Sequence, residues 1–350
     1  MTLLEPPATR PRRRRRESLG VGAVIALVLS IVVNLVVVAG VGWVLLNTQR
    51  VEDQVAVWQF DPTPDIERYA DRAALSDEGR FLLYASRPTI ASGQEFDDAC
   101  ASRMEGVGIL GCYRPATQTI VLFDVTDDRL DGIEEVVAAH EMLHAAWDRM
   151  SAADRDGIAP LLEAEAAALA DDPQFAETLA FYAKTEPGER LNELHSIIGT
   201  EFPVVSEELE AHYAQYFSDR SAVTALHEVS NAVFVEQAAA IADITARLDD
   251  LSTSIDTDYA TYNAGFDSLN SDIASFNSRA QSGGFSSQSQ FDSERAALVQ
   301  RQNDLQALYA TIDARVAEYN DLLVQLEALN ATSAELNESI NITPRSESGL

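Results

Sequence analysis

The sequence predicts an α+β domain, rich in helix, between an N-terminal membrane helix and a C-terminal helical hairpin. Three observations predict it: an uncharged apolar run near the N-terminus, a central region where a few strand-like segments precede several helical ones, and two heptad-patterned stretches around a Gly/Ser break. The expected parts are a cytoplasmic basic tail over 1–18, the membrane helix over 19–46, a stalk over 47–56, the central domain over 57–230, the hairpin over 231–342 and a disordered tail over 343–350.

The apolar run carries no charge from Ser18 to Gln49. A helix needs roughly 20 apolar residues to cross the hydrocarbon layer, whereas the apolar core of a signal peptide has only about 7 to 15. Arginines at 10 and 12–16 precede the run, and positive flanks stay in the cytoplasm. We therefore expect a single-pass protein of the cell membrane, with a cytoplasmic N-terminus and most of the chain outside.

Charge and cysteine content narrow the function further. The formal net charge is -31, and an acidic surface repels phosphate backbones, so no nucleic-acid partner is expected. Cys100 and Cys112 are the two cysteines of the chain. Because an even count outside the cytoplasm favours pairing, they are predicted to form a disulfide that closes a short loop.

The central region predicts two strands followed by helices. Arg80 to Ser86 is rich in aromatic and large apolar residues and Gln118 to Val125 in aromatic and β-branched ones, and both segments are predicted as strands. Gly199 is expected to end the helix that begins at Arg190, and Ser206 to cap the next one. Helical spacing of apolar residues covers 65–75, 131–150, 154–170, 173–184, 190–198 and 206–217.

The last third has the apolar spacing of a coiled coil. Its apolar positions recur at steps of three and four from Ile241 to Phe276 and again from Leu298 to Leu326. The break at 282–287 predicts that the two helices fold back as an antiparallel hairpin, with arms roughly 60 to 80 Å long. We expect this hairpin to project the site described next, to bind a protein partner, or to cover the cleft of that site until it is displaced.

The chemistry is predicted by the stretch His140-Glu141-Met142-Leu143-His144. On a helix, positions i and i+4 share one face, so both imidazoles can reach a single zinc ion at about 2.0–2.1 Å. Glu141 lies beside the first histidine and is the expected general base. Zinc would lower the pKa of a bound water to about 7 and polarise the scissile carbonyl.

The third zinc ligand is expected to be a carboxylate. The compact form with a third histidine is absent, because Ala145-Ala146-Trp147-Asp148 follows the motif. Glu193, on the short helix after Gly188, is favoured because a helix holds its ligand rigidly. Glu201, which follows Gly199, is the alternative ligand.

Residues 115 to 205 resemble the gluzincin class of zinc metallopeptidases. In that class the HExxH helix is followed by a helix carrying NExxS, which Asn192, Glu193 and Ser196 match. The acidic residue often found four places after the ligand is replaced by Ile197. The resemblance implies a zincin-like fold and zinc-dependent hydrolysis of peptide bonds in a peptide or protein substrate.

Candidate donors to the oxyanion of the attacked carbonyl are His195, His212, Tyr213 and Tyr216. His227 has no chemically related residues around it in the sequence and is assigned no role.

Two alternatives remain open at this point. In one, the chain is a non-catalytic envelope scaffold that acts through its hairpin and whose metal is structural or lost. In the other, the enzyme is an amidase that acts on cell-wall peptides, because the same ligand set serves both reactions.

Overall fold

The structure is a computed structural model that describes residues 21–100, 110–185 and 187–340. The predicted basic tail and disordered tail lie outside these residues. The chain divides into two compact units, Met1–Gln59 and Phe60–Leu350, each of which is described by itself.

The first unit contains helices α1 (Val21–Leu46) and α2 (Thr48–Gln59). Within the described part of the chain, α1 is the one helix long and apolar enough to cross a membrane, judged by its length and composition. At 1.5 Å per residue its 26 residues span about 39 Å. The segment predicted as a stalk is helical over most of its length.

The second unit is mostly helical and contains one small sheet. A short 3-10 turn, Asp128–Leu130, precedes the central helix. The helices and strands of the second unit are α3 (Pro64–Arg72), α4 (Asp77–Ala85), β1 (Thr89–Ala91), α5 (Gly93–Cys100), β2 (Gly111–Arg114), β3 (Thr119–Phe123), the central helix α6 (Ile133–Arg149), α7 (Ala152–Ala168), α8 (Pro173–Thr185), α9 (Arg190–Glu201), α10 (Glu207–Tyr213), α11 (Arg220–Gln281) and α12 (Gln288–Ser339).

The sheet has the strand order β1-β3-β2, with β1 parallel and β2 antiparallel to β3. The strand predicted over 118–125 is confirmed as β3. The other two strands were not predicted, because three and four residues are too few to show an alternating pattern. Cys100 and Cys112 form the predicted disulfide, with Cα atoms 6.0 Å apart, and join α5 to β2.

The strand predicted over Arg80–Ser86 is wrong, because this segment belongs to helix α4. The side chain of Ser76 caps the helix by accepting a hydrogen bond from the backbone N–H of Gly79. Asp77 and Glu78 then place negative charge in the first turn, where the helix dipole favours it. The cap and these charges favour a helix despite the aromatic and apolar residues that suggested a strand.

The six predicted helices of the central region are present, but α3, α9 and α10 end three or four residues away from their predicted ends. Ser206 caps α10 as predicted, since its hydroxyl accepts from the backbone N–H of Leu209. Helix α9 does not stop at Gly199 but continues to Glu201. A Cβ atom at Gly199 would lie 2.6 Å from Leu143 Cδ1 and 2.7 Å from Tyr213 Cε1. This glycine therefore permits close packing of α9 on α6.

Helices α11 and α12 form the predicted antiparallel hairpin. Four ion pairs join the two helices, and as the residue number rises on one helix it falls on the other. At 1.5 Å per residue their 62 and 52 residues span about 93 and 78 Å. The predicted domain boundary at residue 231 falls inside α11, so one continuous helix serves both parts. The ion pairs that join α11 to α12 are Arg279–Glu294, Arg301–Asp272, Arg315–Asp258 and Arg247–Glu318.

Candidate metal centre

Helix α6 carries His140, Glu141 and His144 through the middle of the core. Its start is fixed by Gly132, which has a φ of +96° and lies so close to Leu226 that a Cβ atom would approach that side chain to 3.0 Å. Buried apolar residues surround the helix on several sides, so packing holds the imidazole of His144, which is 3% exposed, while that of His140 is partly exposed. The buried apolar residues are Val136, Ala138, Ala139, Met142, Leu143, Ala145, Ala146 and Trp147.

The two histidines point at one another across one helical turn. Their Nε2 atoms lie 3.1 Å apart. Bonds of about 2.05 Å at tetrahedral angles would place two ligand atoms about 3.3 Å apart. The separation therefore suits two ligands of one ion.

Asn192, on α9, fixes the orientation of His144. The Oδ1 atom of Asn192 lies 2.9 Å from His144 Nδ1, while its Nδ2 group donates to Glu189 Oε2 at 3.2 Å. Because the contact with Glu189 sets the amide orientation, Nδ1 of His144 is the donor to Asn192. Its Nε2 atom then carries the lone pair that a metal needs.

Glu193, the favoured third ligand, lies beside His144, outside the His140-Glu141-His144 group. Its side chain is 1% exposed, and Oε1 lies 3.7 Å from His144 Nε2. This carboxylate comes from α9, which packs directly against α6. The sequence interval of 49 residues between His144 and Glu193 is closed only by this helix packing.

Glu141 belongs to the same group. One ligand atom from each of His140, Glu141 and His144 lies within 4.8 Å of the other two. Strand β2 passes close to Glu141 because it has glycine at position 111, where a Cβ atom would lie 2.9 Å from Glu141 Cγ and 2.6 Å from Val137 Cγ1. Sequence reasoning did not single out Gly111, because its role depends on a contact between distant elements.

A cleft of about 620 Å³ opens onto this group. Its walls come from α6, the beginning of β2, α8 and the first turns of α11. The histidines and Glu141 contribute polar atoms to an otherwise largely apolar lining. The cleft is lined by Leu110, Gly111, Ile133, Val136, Val137, His140, Glu141, His144, Gln174, Glu177, Thr178, Ala180, Phe181, Tyr182, Lys184, Glu201, His227, Ser230, Asn231 and Phe234.

Glu201, the alternative ligand, lies in the cleft wall beside His227. The two side chains approach to 4.0 Å between Oε2 and Nε2. Burial, together with the charge of Glu193, raises the pKa of Glu201 to about 7. Burial lowers the pKa of His227 to about 4, so this histidine is neutral at pH 7. The sequence had given no reason to place His227 in the site.

The four predicted oxyanion donors are not among the residues that line the cleft. His195 is completely buried, and its Nε2 atom lies 2.9 Å from His212 Nε2. The hydroxyl of Tyr213 donates to the backbone carbonyl of His195 at 2.8 Å. Burial lowers the pKa of both His195 and His212. Together with Tyr216, these residues form a packed aromatic cluster rather than a reactive surface.

Comparisons of the chain with protein-family models, with curated proteins and with solved structures gave no match. The chemistry of the site is therefore argued from its own geometry. That geometry defines a buried His-Glu-His group that could hold a metal ion, at the bottom of a cleft.

Proposed function

We propose that the protein is a zinc-dependent peptidase of zincin-like fold, with His140, His144 and Glu193 as metal ligands. The observation that carries the proposal is the convergence of two Nε2 atoms 3.1 Å apart and a buried carboxylate oxygen 3.7 Å from one of them. Two imidazoles and one carboxylate are a ligand set of catalytic zinc sites, which leave one position for water. Calcium and magnesium prefer oxygen ligands throughout.

The surroundings of His144 support the same proposal. The fragment that resembles the gluzincin pattern places all three of its matching residues against this histidine. Asn192 orients the ring, Glu193 faces Nε2, and the hydroxyl of Ser196 lies 3.4 Å from Nε2. Partners of this kind fix the tautomer and direction of a metal-binding imidazole.

Glu141 is proposed as the general base of the reaction. A zinc ion held by the three ligands would make a water molecule acidic and polarise the peptide carbonyl. Glu141 would take the proton of the attacking water and later deliver it to the leaving amine. His227 faces the same cleft and is neutral at pH 7, so its ring N–H is the proposed donor to the oxyanion.

The proposed location is the outer face of a cell membrane. The support is α1, together with the arginines at 10 and 12–16 that precede it in the sequence. The proposed substrate is a peptide or protein, or the peptide portion of a cell wall. A protein partner is proposed for the hairpin, along which Tyr259, Phe266 and Tyr309 are substantially exposed.

The experiment that tests the function compares wild type with Glu141→Gln in the full-length protein. We expect the variant to retain zinc at the wild-type ratio, because Glu141 is not a ligand, and to lose at least about 100-fold in the rate of peptide hydrolysis. Both the metal content and the cleavage of a peptide library and of cell-wall peptides are measured.

Glu208→Gln is the matched control, since Glu208 is an exposed carboxylate on α10 of the same unit. It should leave both readouts unchanged. Equal activity of wild type and Glu141→Gln on every substrate would refute the proposed peptidase function and leave the alternative of a non-catalytic scaffold.

A further inference from the structure

Two residues that line the cleft from different helices are hydrogen-bonded to each other. Gln174 lies at the beginning of α8 and Asn231 in the fourth turn of α11. Gln174 Nε2 donates to Asn231 Oδ1 at 2.9 Å, and Asn231 Nδ2 donates to Gln174 Oε1 at 3.1 Å. Each amide therefore satisfies both the donor and the acceptor of the other. We call this pair the amide bridge.

The α8 side of the amide bridge is held in place by its neighbours. Asp172 Oδ1 accepts hydrogen bonds from the backbone N–H groups of Gln174 and Phe175, at 2.9 and 3.0 Å. The ring of Phe175 is 3% exposed and packs edge-to-face on Phe202, with centroids 5.4 Å apart. The first turn of α8 is thus anchored to the core, and Gln174 extends from it toward α11.

The amide bridge lies close to the proposed chemistry. Asn231 follows His227 by four residues on α11, so the two side chains share a face one turn apart. The rise over four residues is about 6 Å, and an extended peptide advances about 3.3 Å per residue. About two substrate residues fit between His227 and the bridge.

We propose that the amide bridge closes this end of the cleft, so that the enzyme removes short terminal fragments and does not cut long chains internally. This inference rests on the proposed peptidase function and adds the class of substrate. A chain bound with its attacked carbonyl at His227, the proposed oxyanion donor, can extend about two residues toward the bridge, where the two amides block further extension.

The test uses the full-length protein and two nested series of peptides with one common cleaved sequence. One series is lengthened residue by residue on the N-terminal side and the other on the C-terminal side. For wild type we expect kcat/KM to fall at least about tenfold in one series once the extension passes about two residues. The series that shows the fall identifies the end from which the fragment is removed.

The double variant Gln174→Ala/Asn231→Ala removes both amides and keeps Phe175 and the Asp172 cap. It should restore cleavage of the long peptides to within about threefold of the short ones. Asn263→Ala, an exposed amide on the hairpin, is the control and should keep the wild-type length limit. Wild-type cleavage without any length limit, or a limit that persists in the double variant, would overturn the inference while leaving the peptidase intact.

A second measurement is independent of catalysis. Ser230 lines the cleft beside Asn231 and is 3% exposed. Ser230→Cys introduces a single free thiol, because Cys100 and Cys112 are joined. We expect a maleimide to label it several-fold faster when the amide bridge is removed than in the Asn263→Ala background. Equal labelling rates would contradict a closed end even if no peptide were cleaved.

Discussion

Two pairs of packed helices, α6 with α9 and α11 with α12, differ in what lies between and beside them. At the α6–α9 contact the chain buries His144, Glu193, His195 and Ser196 together with apolar residues. The hairpin instead buries a sparse row of apolar residues and carries its charges outside, in pairs such as Arg247–Glu318. Burying polar groups costs stability unless they are paired or bind a ligand. The comparison therefore favours the α6–α9 contact, rather than the hairpin, as the place that could hold a ligand such as a metal ion.

The largest expected effect is on zinc affinity, and it compares Glu193 with Glu201, the two candidate carboxylate ligands. Glu193→Ala should weaken zinc binding at least about 100-fold, because it removes one of the three proposed ligands. Glu201→Ala should bind zinc within about threefold of wild type, since Glu201 faces His227 instead. Competition with a fluorescent zinc chelator measures both affinities. The reverse order of the two variants would transfer the ligand role to Glu201.

Asn192→Ala tests whether the second helix also orients a ligand. Without the oxygen 2.9 Å from Nδ1, His144 can adopt the other tautomer or rotate. We expect zinc affinity to fall about 10- to 100-fold, the usual cost of losing an outer partner of a metal-binding histidine. Asn192→Asp, which keeps an acceptor at that place, should bind zinc more tightly than Asn192→Ala. If the two variants were equal, the contact would have no orienting role.

A pair of glycine substitutions compares the two helix contacts directly. Gly199→Ala places a methyl group 2.6 Å from Leu143 and 2.7 Å from the Tyr213 ring, where the surrounding core has little room to move. The free energy of unfolding should fall by about 1–3 kcal/mol. At Gly265 the new methyl would meet only the end of the Leu305 side chain, at 2.8 Å.

Because that leucine can rotate and alanine favours helix by about 1 kcal/mol, Gly265→Ala should be neutral or slightly stabilising. Denaturant unfolding is followed by tryptophan fluorescence, to which Trp147 near the site contributes together with Trp43 and Trp58, and by far-ultraviolet circular dichroism, which reports the total helix content. Equal losses at both positions would mean that the two contacts are packed alike.

The smallest expected effect is a pH dependence of the metal-free protein. The pKa of Glu201 is raised to about 7, so the folded state disfavours its ionised form. The loss of folding stability caused by ionising Glu201 is absent below the ordinary carboxyl pKa, grows as the pH rises, and is complete above about pH 7. Glu201→Gln removes this penalty and should therefore gain about 1–2 kcal/mol relative to wild type between pH 5 and pH 8.

Thermal unfolding of both proteins at the two pH values measures this difference. The lowered pKa of His227 acts in the opposite direction, destabilising the fold as the pH falls from about 6.5 toward about 4, but it is common to both proteins. A stability difference that does not change with pH would show that Glu201 is not held in a desolvated place.

Local patterns determined a large part of this molecule. The length and composition of α1, the four-residue spacing of His140 and His144 and the repeating apolar positions of α11 and α12 are all readable in the sequence. Each is a property of neighbours within one helix, where geometry follows from residue spacing alone. The disulfide was also predictable, because its two cysteines are the only ones in the chain.

Tertiary structure decided what meets the histidines. The proximity of Glu193, the entry of His227 into the cleft and the need for glycine at 111 and 199 arise from packing between elements far apart in sequence. The error at Arg80–Ser86 has a related cause, because aromatic and large apolar residues are found on the buried face of a helix as well as in a strand. Periodicity shows which face of a helix is buried, but only the fold determines what that face contacts.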